Sequence, residues 1–577
     1  MLSIQSGHII LIFSWSALIW ILLFFWYFST LLQLYILASG HSGTNGFRDS
    51  LLYSTVWLIP VFLFPDYMFP ITAITGMVLW ITSIFSLAYY VIYQQEFSQS
   101  VLFIMFDSNP TEAREYFSQY FSLKLSVIIV LYTIGGLWLW SHIELIYIPL
   151  PWRYITAFAI FYILFGHIII RDLIMRRRPV SQVIAHIMSR TEPAAPWQIV
   201  MAYCQYRVQS ATLKNLMKKN DSLPHLKNLS DNTGNEPRTL VLILGESTQR
   251  NRMSLYGYGR ITTPLLDEIR RQDPHLTVFD DVISPRPYTI EVLQQILTFA
   301  DEKNPDLYLT QPSLINIMRQ VGYKSFWITN QQTMTRRNTM LMAFSEQTDK
   351  QYYMNHQRTQ SSRQYDDVVF EPFREALADP APKKLIIVHL LGTHINYKYR
   401  FPRSYKRFKG YDTVVPSGLS AINLKTYNDY DNANLYNDYV VSTLIKEYAA
   451  DNPHGFLVYF SDHGEEVYDT PPYNIQGRNE TAPTANMYTV PYIQWVSPSW
   501  QRTYPHDYSS CVNRKYSLSH FIHTWSEMAG LYYEGWCPEK SVINRAFTEN
   551  IRWIGDPYKN NGLLNFDYIF KNDPTRQ

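Results

Sequence analysis

Cysteine is scarce. The 577 residues hold three, none at zinc-finger spacing, which excludes a cysteine-built metal module and a disulfide-dense scaffold. Charge of one sign is scarce too. Fifty Lys and Arg against 48 Asp and Glu leave a net charge of +2, so composition gives no support for a nucleic-acid partner. No glycine-rich phosphate loop is present, which sets aside the P-loop and dinucleotide folds. No internal repeat is visible, which sets aside a solenoid. The first apolar run has no basic start or small-residue cleavage site and is too long for a cleaved signal peptide, so none is expected.

Apolar residues are plentiful, at 47% hydrophobic and 16% aromatic, and unevenly placed. Five runs carry almost no charge: 8–37, 51–64, 68–93, 125–141 and 154–170. Four are long enough to cross a bilayer, which needs roughly 20 apolar residues. The run at 51–64 is short and contains Pro60. The expectation is a five-helix transmembrane bundle over 1–171. With five spans, Arg48, Arg114, Lys124, Arg171 and Arg176-Arg177-Arg178 fall on the side of the C-terminal part, and Arg153 on the other. Charge bias alone would then put the large domain in the cytoplasm.

The loop 94–122 contains FDSNPTEAREYF (106–117). Its pattern predicts an amphipathic helix, with Asn109, Glu112 and Glu115 on a polar face at the membrane surface or simply in solvent. Residues 172–238 form a bridge. RDLIMRRRP is basic enough to touch anionic headgroups. Residues 196–219 have helical periodicity with Trp and Tyr, suiting an interfacial or a soluble helix. Residues 221–237 read as a linker rich in Asp, Asn, Ser and Pro.

From 239 onward, aliphatic strands alternate with helical patterns, which predicts a C-terminal α/β domain over 239–577 with a largely parallel sheet. Strands are expected near 240–244, 323–330, 385–389, 456–461 and 487–496, with helices near 313–322 and 436–450. Cys511 and Cys537 could pair in an oxidising compartment or stand as two thiols; Cys204 is expected to be unpaired.

Three of the strands end in metal-ligating side chains. LVLILG runs into Glu246, LIIVHLLGTH ends in His389 and His394, and FLVYFSDHGEE ends in Asp462-His463. The carboxyl ends of parallel strands are where open α/β sheets place ligands. Glu246, Asp462, His463 and a hydroxyl make a mixed set suited to Zn²⁺, with Mn²⁺ possible. A Pro-rich loop leads to a helix starting around Thr289. A hydroxyl there gains from the helix dipole and, beside a metal, becomes a usable nucleophile. Thr289 also reads as a plain N-cap, and Ser284 is a rival hydroxyl.

LILGESTQRNRMSLYGYGRITTP (242–264), the Thr289 loop, VHLLGTH, YDNANLYNDY (430–439) and YFSDHGEE, behind membrane spans, together resemble the bacterial phosphoethanolamine transferases. These belong to the alkaline phosphatase/sulfatase superfamily. The resemblance covers essentially the whole chain and is strongest to members that modify the heptose of the lipopolysaccharide core. It implies that Glu246, Thr289, Asp462 and His463 hold zinc. Thr289 would carry phosphoethanolamine taken from phosphatidylethanolamine and pass it to lipopolysaccharide. His394 would protonate the leaving oxygen or hold a second metal, and Asn109 with Glu112 or Glu115 would approach the donor lipid. The implied location is the bacterial inner membrane with a periplasmic catalytic domain, opposite to the arginine bias. The product would carry an added ammonium that weakens attraction for cationic peptides.

The chain departs from its relatives at three places. Gln476-Gly477 stands where many have His-Gly, Thr489-Val490-Pro491 where many have His-Val-Pro, and Pro285 where a cysteine is common. One tight zinc is therefore expected. A phosphoglycerol-transferring relative with the same spans and threonine, and a non-catalytic envelope scaffold, are the alternatives. A sulfatase fits less well, because Ser284-Pro285-Arg286-Pro287 only brushes the sulfatase nucleophile pattern.

Overall fold

In a computed structural model, the described residues are 15–39, 44–93, 97, 123–146, 148–204, 223–234, 236–332, 339–356, 363–480, 482–558 and 562–571, with 207, 211, 215 and 218. Two compact units form, one essentially residues 1–208 and the other built from residue 209 onward. The loop 98–122, with Asn109, Glu112 and Glu115, lies outside the described residues.

Among the described residues of the first unit, four helices are long and apolar enough to cross a membrane: Trp15–Ala38, Pro65–Val91, Leu123–Ser141 and Leu150–Met175. Close packing comes from aromatic side chains against glycine. A Cβ on Gly76 would lie 2.5 Å from the Phe24 ring, and one on Gly135 2.4 Å from the Tyr27 hydroxyl. Tyr27 stacks on Tyr132 with centroids 5.0 Å apart. Small residues that let helices approach are the usual device where no hydrophobic effect drives them together. The run at 51–64 falls in shorter pieces, helix Thr44–Ser54, a 3₁₀ turn Thr55–Trp57 and helix Leu58–Leu63.

The second unit is built on a seven-stranded sheet: β1 (Arg238–Gly245), β2 (Leu276–Phe279), β3 (Lys324–Gln332), β4 (Lys350–Asn355), β5 (Lys383–His389), β6 (Phe456–Ser461) and β7 (Tyr492–Val496). Its order is β2-β7-β6-β1-β5-β3-β4. The five strands from β6 to β4 run parallel, and β7 and β2 continue the sheet antiparallel. β1 is central and buried along its whole length. Its unbroken aliphatic run follows, because both faces are covered. Leu240, Leu242 and Leu244 enter one core with helices Thr289–Ile296, Leu314–Gln320 and Phe521–Met528. Val241 and Ile243 enter the other, with helices Phe370–Ala378 and Ala421–Ala450.

The last helix is 30 residues long, starting well before the pattern at 436, with Ser420 capping it by accepting from Asn423 N–H. Part of the stretch expected as a linker also joins this unit. Ser230–Asp231 pairs antiparallel with Leu531–Tyr532, and Asp231 takes Lys383 at 2.9 Å. Cys204, Cys511 and Cys537 are all free thiols.

His523, on helix Phe521–Met528, is buried, and its Nδ1 accepts from Cys537 N–H at 3.3 Å. Burial, with Lys540 beside it, pushes its pKa down to about 3. A depressed folded-state pKa gives stability that is present above the unfolded value, about 6.5, and is lost as pH falls toward the folded one. His523 should therefore cost the fold about 2 kcal/mol between pH 7.5 and pH 5, at about 1.4 kcal/mol per pH unit. His523→Gln should flatten the fall in thermal midpoint over that range; an identical pH dependence in the variant would contradict this.

Candidate metal and phosphoryl-transfer site

Register places the site. β1 pairs in parallel with β5 and β6, so Leu244 lies opposite His389 and Gly245 opposite Ser461. The next residues, Glu246 and Asp462, leave the same edge of the sheet side by side. Both are fully buried, as is His463. Ligand atoms of Glu246, Asp462 and His463 all lie within 4.8 Å of one another. His463 Nε2 stands 3.3 Å from Glu246 Oε1 and 3.2 Å from Asp462 Oδ2.

The loops after the strands are held rigidly. Tyr430 donates to Ser247 C=O at 2.7 Å and accepts from Gln249 N–H at 3.0 Å. Ser247 takes a left-handed conformation, φ 59°, and its N–H donates to Asp462 Oδ1 at 3.1 Å. Arg252 is clamped between Asp431 at 2.9 Å and Asp469 at 3.0 Å, and Arg260 reaches the same Asp431 at 2.7 Å. The LYGYGR stretch and the YDNANLYNDY helix thus hold one another, and with them the Glu246 loop.

Thr289 is the first residue of its helix. Its Oγ1 donates to Glu246 Oε2 at 2.9 Å and lies 3.4 Å from His463 Nε2. Ser284 is turned elsewhere, donating to the Arg286 carbonyl at 2.9 Å. Arg286 pairs with Glu480 at 2.7 Å, so the Ser-Pro-Arg stretch is tied into structure. His394 is buried, with Nδ1 unpartnered, and burial lowers its pKa to about 4 against the charge of Glu246. His389, at the end of β5, packs edge-on to Trp327 and lies outside the ligand group.

Four further residues meet the group. Gln331, at the end of β3, donates to Glu246 Oε2 at 3.2 Å. Arg478 pairs with Glu246 at 3.5 Å and Glu465 at 3.3 Å and also contacts His463 Nε2. Tyr397 donates to Glu465 at 3.0 Å. Gln331 obeys the same strand-end logic that pointed to Glu246. Arg478 follows Gln476-Gly477 directly, the very departure noted above. Glu465 lies in the FLVYFSDHGEE stretch, two residues beyond His463, and Tyr397 carried no signal.

Burial opposes ionisation of Glu246, yet His463, His394 and Arg478 hold its carboxyl well below the usual range. Burial and the neighbouring Glu246 push Asp462 well above it. Arg478 favours the charged form of both, and a metal ion between them would favour it further. The donor set fits a metal. Asp462 Oδ2 is buried without a hydrogen-bond partner. His463 Nδ1 lies 2.8 Å from the Gly464 carbonyl, which takes its N–H and leaves Nε2 as the acceptor nitrogen, facing the carboxylates and contacted by Arg478.

Residues 238–531 match the sulfatase family model. Along 97% of its length the chain is 61% identical to phosphoethanolamine transferase EptC of Escherichia coli K12, covering 97% of that protein. The chain belongs to the phosphoethanolamine transferases. It is also 60% identical to phosphoethanolamine transferase CptA of Salmonella typhimurium LT2, over 96% of both. Among solved structures, the periplasmic C-terminal domain of the Escherichia coli EptC in complex with zinc matches 62% of this chain and all of that one, at 65% identity and a TM-score of 0.60. The family makes the chain an enzyme and confirms the sulfatase-like reading of the second unit.

Gly392, after β5, has φ 53°, and a Cβ there would lie 2.6 Å from the Glu246 carbonyl oxygen. Gly392→Ala should cost about 1–3 kcal/mol of stability and displace the Glu246 loop. Calorimetry and metal content after dialysis would show a lower thermal midpoint and reduced metal; unchanged metal content would contradict the placement.

Proposed function

We propose that the chain transfers phosphoethanolamine from phosphatidylethanolamine to lipopolysaccharide, at the core heptose, through a phosphorylated Thr289. The observation that carries this reading is the Thr289 hydroxyl, set at a helix N-terminus within hydrogen-bonding distance of Glu246. A phosphoryl group on that oxygen would meet unpaired backbone N–H groups and the positive end of the helix dipole. The names of the relatives support the transferred group.

We assign Glu246, Thr289, Asp462 and His463 as the residues that would hold one zinc ion, with manganese the alternative. The zinc complex of the Escherichia coli domain supports the choice of metal. Bound there, zinc would supply positive charge that lowers the hydroxyl pKa and stabilises phosphoryl oxygens.

Thr289 Oγ attacks the phosphorus of the donor and passes its proton to Glu246 Oε2, to which it already donates, as the new P–O bond forms. The bond from phosphorus to diacylglycerol breaks, and the departing oxygen takes up a proton. His394 would deliver that proton as the imidazolium and become the neutral imidazole, the form that burial favours. A sugar hydroxyl then attacks phospho-Thr289 and gives its proton to His394, while the departing Thr289 oxygen takes its proton back from Glu246 and the threonine is restored. Arg478 orients Glu246 and places a guanidinium where phosphoryl oxygens gather.

The domains follow: residues 1–171 in the inner membrane, 172–238 a bridge, and 239–577 the catalytic domain in the periplasm. Asn109, Glu112 and Glu115 belong to the loop that we assign to the donor headgroup. A membrane anchor on the same chain lets the donor react without leaving the bilayer. Four of the arginines that oppose this orientation, Arg48, Arg171, Arg176 and Arg178, are held by buried aspartates, which supports a structural rather than a topological origin for their part of the bias.

Labelled phosphatidylethanolamine and lipopolysaccharide, incubated with the full chain and zinc, should give labelled lipopolysaccharide. Thr289→Ala and Glu246→Gln should each reduce the rate by about a thousand-fold or more. Turnover of phosphatidylglycerol instead would replace the donor, and equal labelling of lipopolysaccharide lacking heptose would overturn the acceptor.

A further inference from the structure

The basic run at the end of the fourth membrane-length helix is a built cluster. Asp172 is fully buried, and four cation-forming side chains converge on it. Arg171 lies 3.1 Å away, Arg176 3.6 Å, Arg178 3.4 Å and His186 2.5 Å. Asp49, also buried, gathers two more, Arg48 and Arg190, each at 2.9 Å. His186 and Arg190 lie one turn apart on helix Val180–Thr191, so a single helix closes both knots. Arg177 stands exposed beside them.

The two aspartates do not balance this charge. Six arginines, Arg48, Arg171, Arg176, Arg177, Arg178 and Arg190, against Asp49 and Asp172 leave an excess of four positive charges, His186 not counted. The carboxylates are inside, while the paired guanidiniums keep between 30% and 51% of their side-chain surface exposed. Each guanidinium carries five N–H donors in a fixed fork and spends one or two on its aspartate. The remaining donors are pre-oriented by a buried anchor.

We propose that this cluster is a binding site for the phosphate headgroup of an anionic phospholipid. Arginine forks match phosphate oxygens bidentately. A free phosphate would have no use for the flanking side chains, but a lipid would: Ile174, Met175, Val180 and Ile184 are all exposed around the arginines. The cluster sits where the apolar helix Leu150–Met175 ends, so phosphate at the guanidiniums and acyl chains along the helix occupy their natural depths. The inference rests on the membrane reading of the N-terminal helices and is independent of the transfer chemistry.

The test is native mass spectrometry of the full chain in detergent, titrated with phosphatidylglycerol, with phosphatidylcholine of the same acyl chains, or with inorganic phosphate. Phosphatidylglycerol should form adducts preferentially, and they should decline as salt is raised. Removing an arginine should weaken them about five-fold, so Arg176→Gln with Arg177→Gln and Arg178→Gln should all but abolish them, leaving phosphatidylcholine unchanged. Should that variant not fold, Arg177→Gln alone, which breaks neither knot, should show the five-fold loss. Equal binding of the two lipids, insensitivity to salt and to these substitutions, or binding of inorganic phosphate as tight as that of the lipid would each overturn the proposal.

Discussion

Glu246 and Asp462 are two buried carboxylates that converge on one imidazole nitrogen, His463 Nε2. That arrangement is unfavourable unless a cation joins it, and the architecture of the second unit is what enforces it. β1, β5 and β6 run parallel and in register, so their carboxyl ends cannot help but deliver their next residues to one edge. The two cores that bury both faces of β1 fix the strand. Tyr430 and the Arg252–Asp431 and Arg260–Asp431 pairs fix the loop beyond it. Strain and unpaired charge thus collect at the one place where a metal and a phosphoryl group would relieve them.

The first unit uses the same device for another end. Buried aspartates again gather positive side chains, but here the excess is cationic and turned outward. In the site of the second unit three carboxylates, Glu246, Asp462 and Glu465, face one arginine, Arg478. The two clusters have opposite charge balance and suit opposite ligands, a metal cation in one and an anionic headgroup in the other.

Much of this was legible before any coordinates. β1, β5 and β6 announce themselves as aliphatic runs because parallel strands covered on both faces tolerate little else. The residues that follow them, Glu246, His394 and Asp462-His463, stand out as polar breaks in those runs. Thr289 was legible only through family resemblance, since a threonine opening a helix is an ordinary cap; geometry separated it from Ser284. Gln331 could have been found by the rule that found Glu246. Glu465, inside FLVYFSDHGEE, could have been found beside Asp462-His463; Arg478 could not, because it reaches the site from a loop whose path no periodicity encodes. The arginines after residue 170 point toward the cytoplasm by count alone. Charge bias counts residues, and it cannot see that Asp172 lies buried beneath them.

The account turns on Thr289 as the carrier of the transferred group. Intact-protein mass spectrometry of the full chain, incubated with phosphatidylethanolamine and zinc and without acceptor, addresses this directly. The account predicts a mass increment of one phosphoethanolamine, absent in Thr289→Ala. A chain that turns over donor without any increment, or an increment that persists in Thr289→Ala, would contradict it.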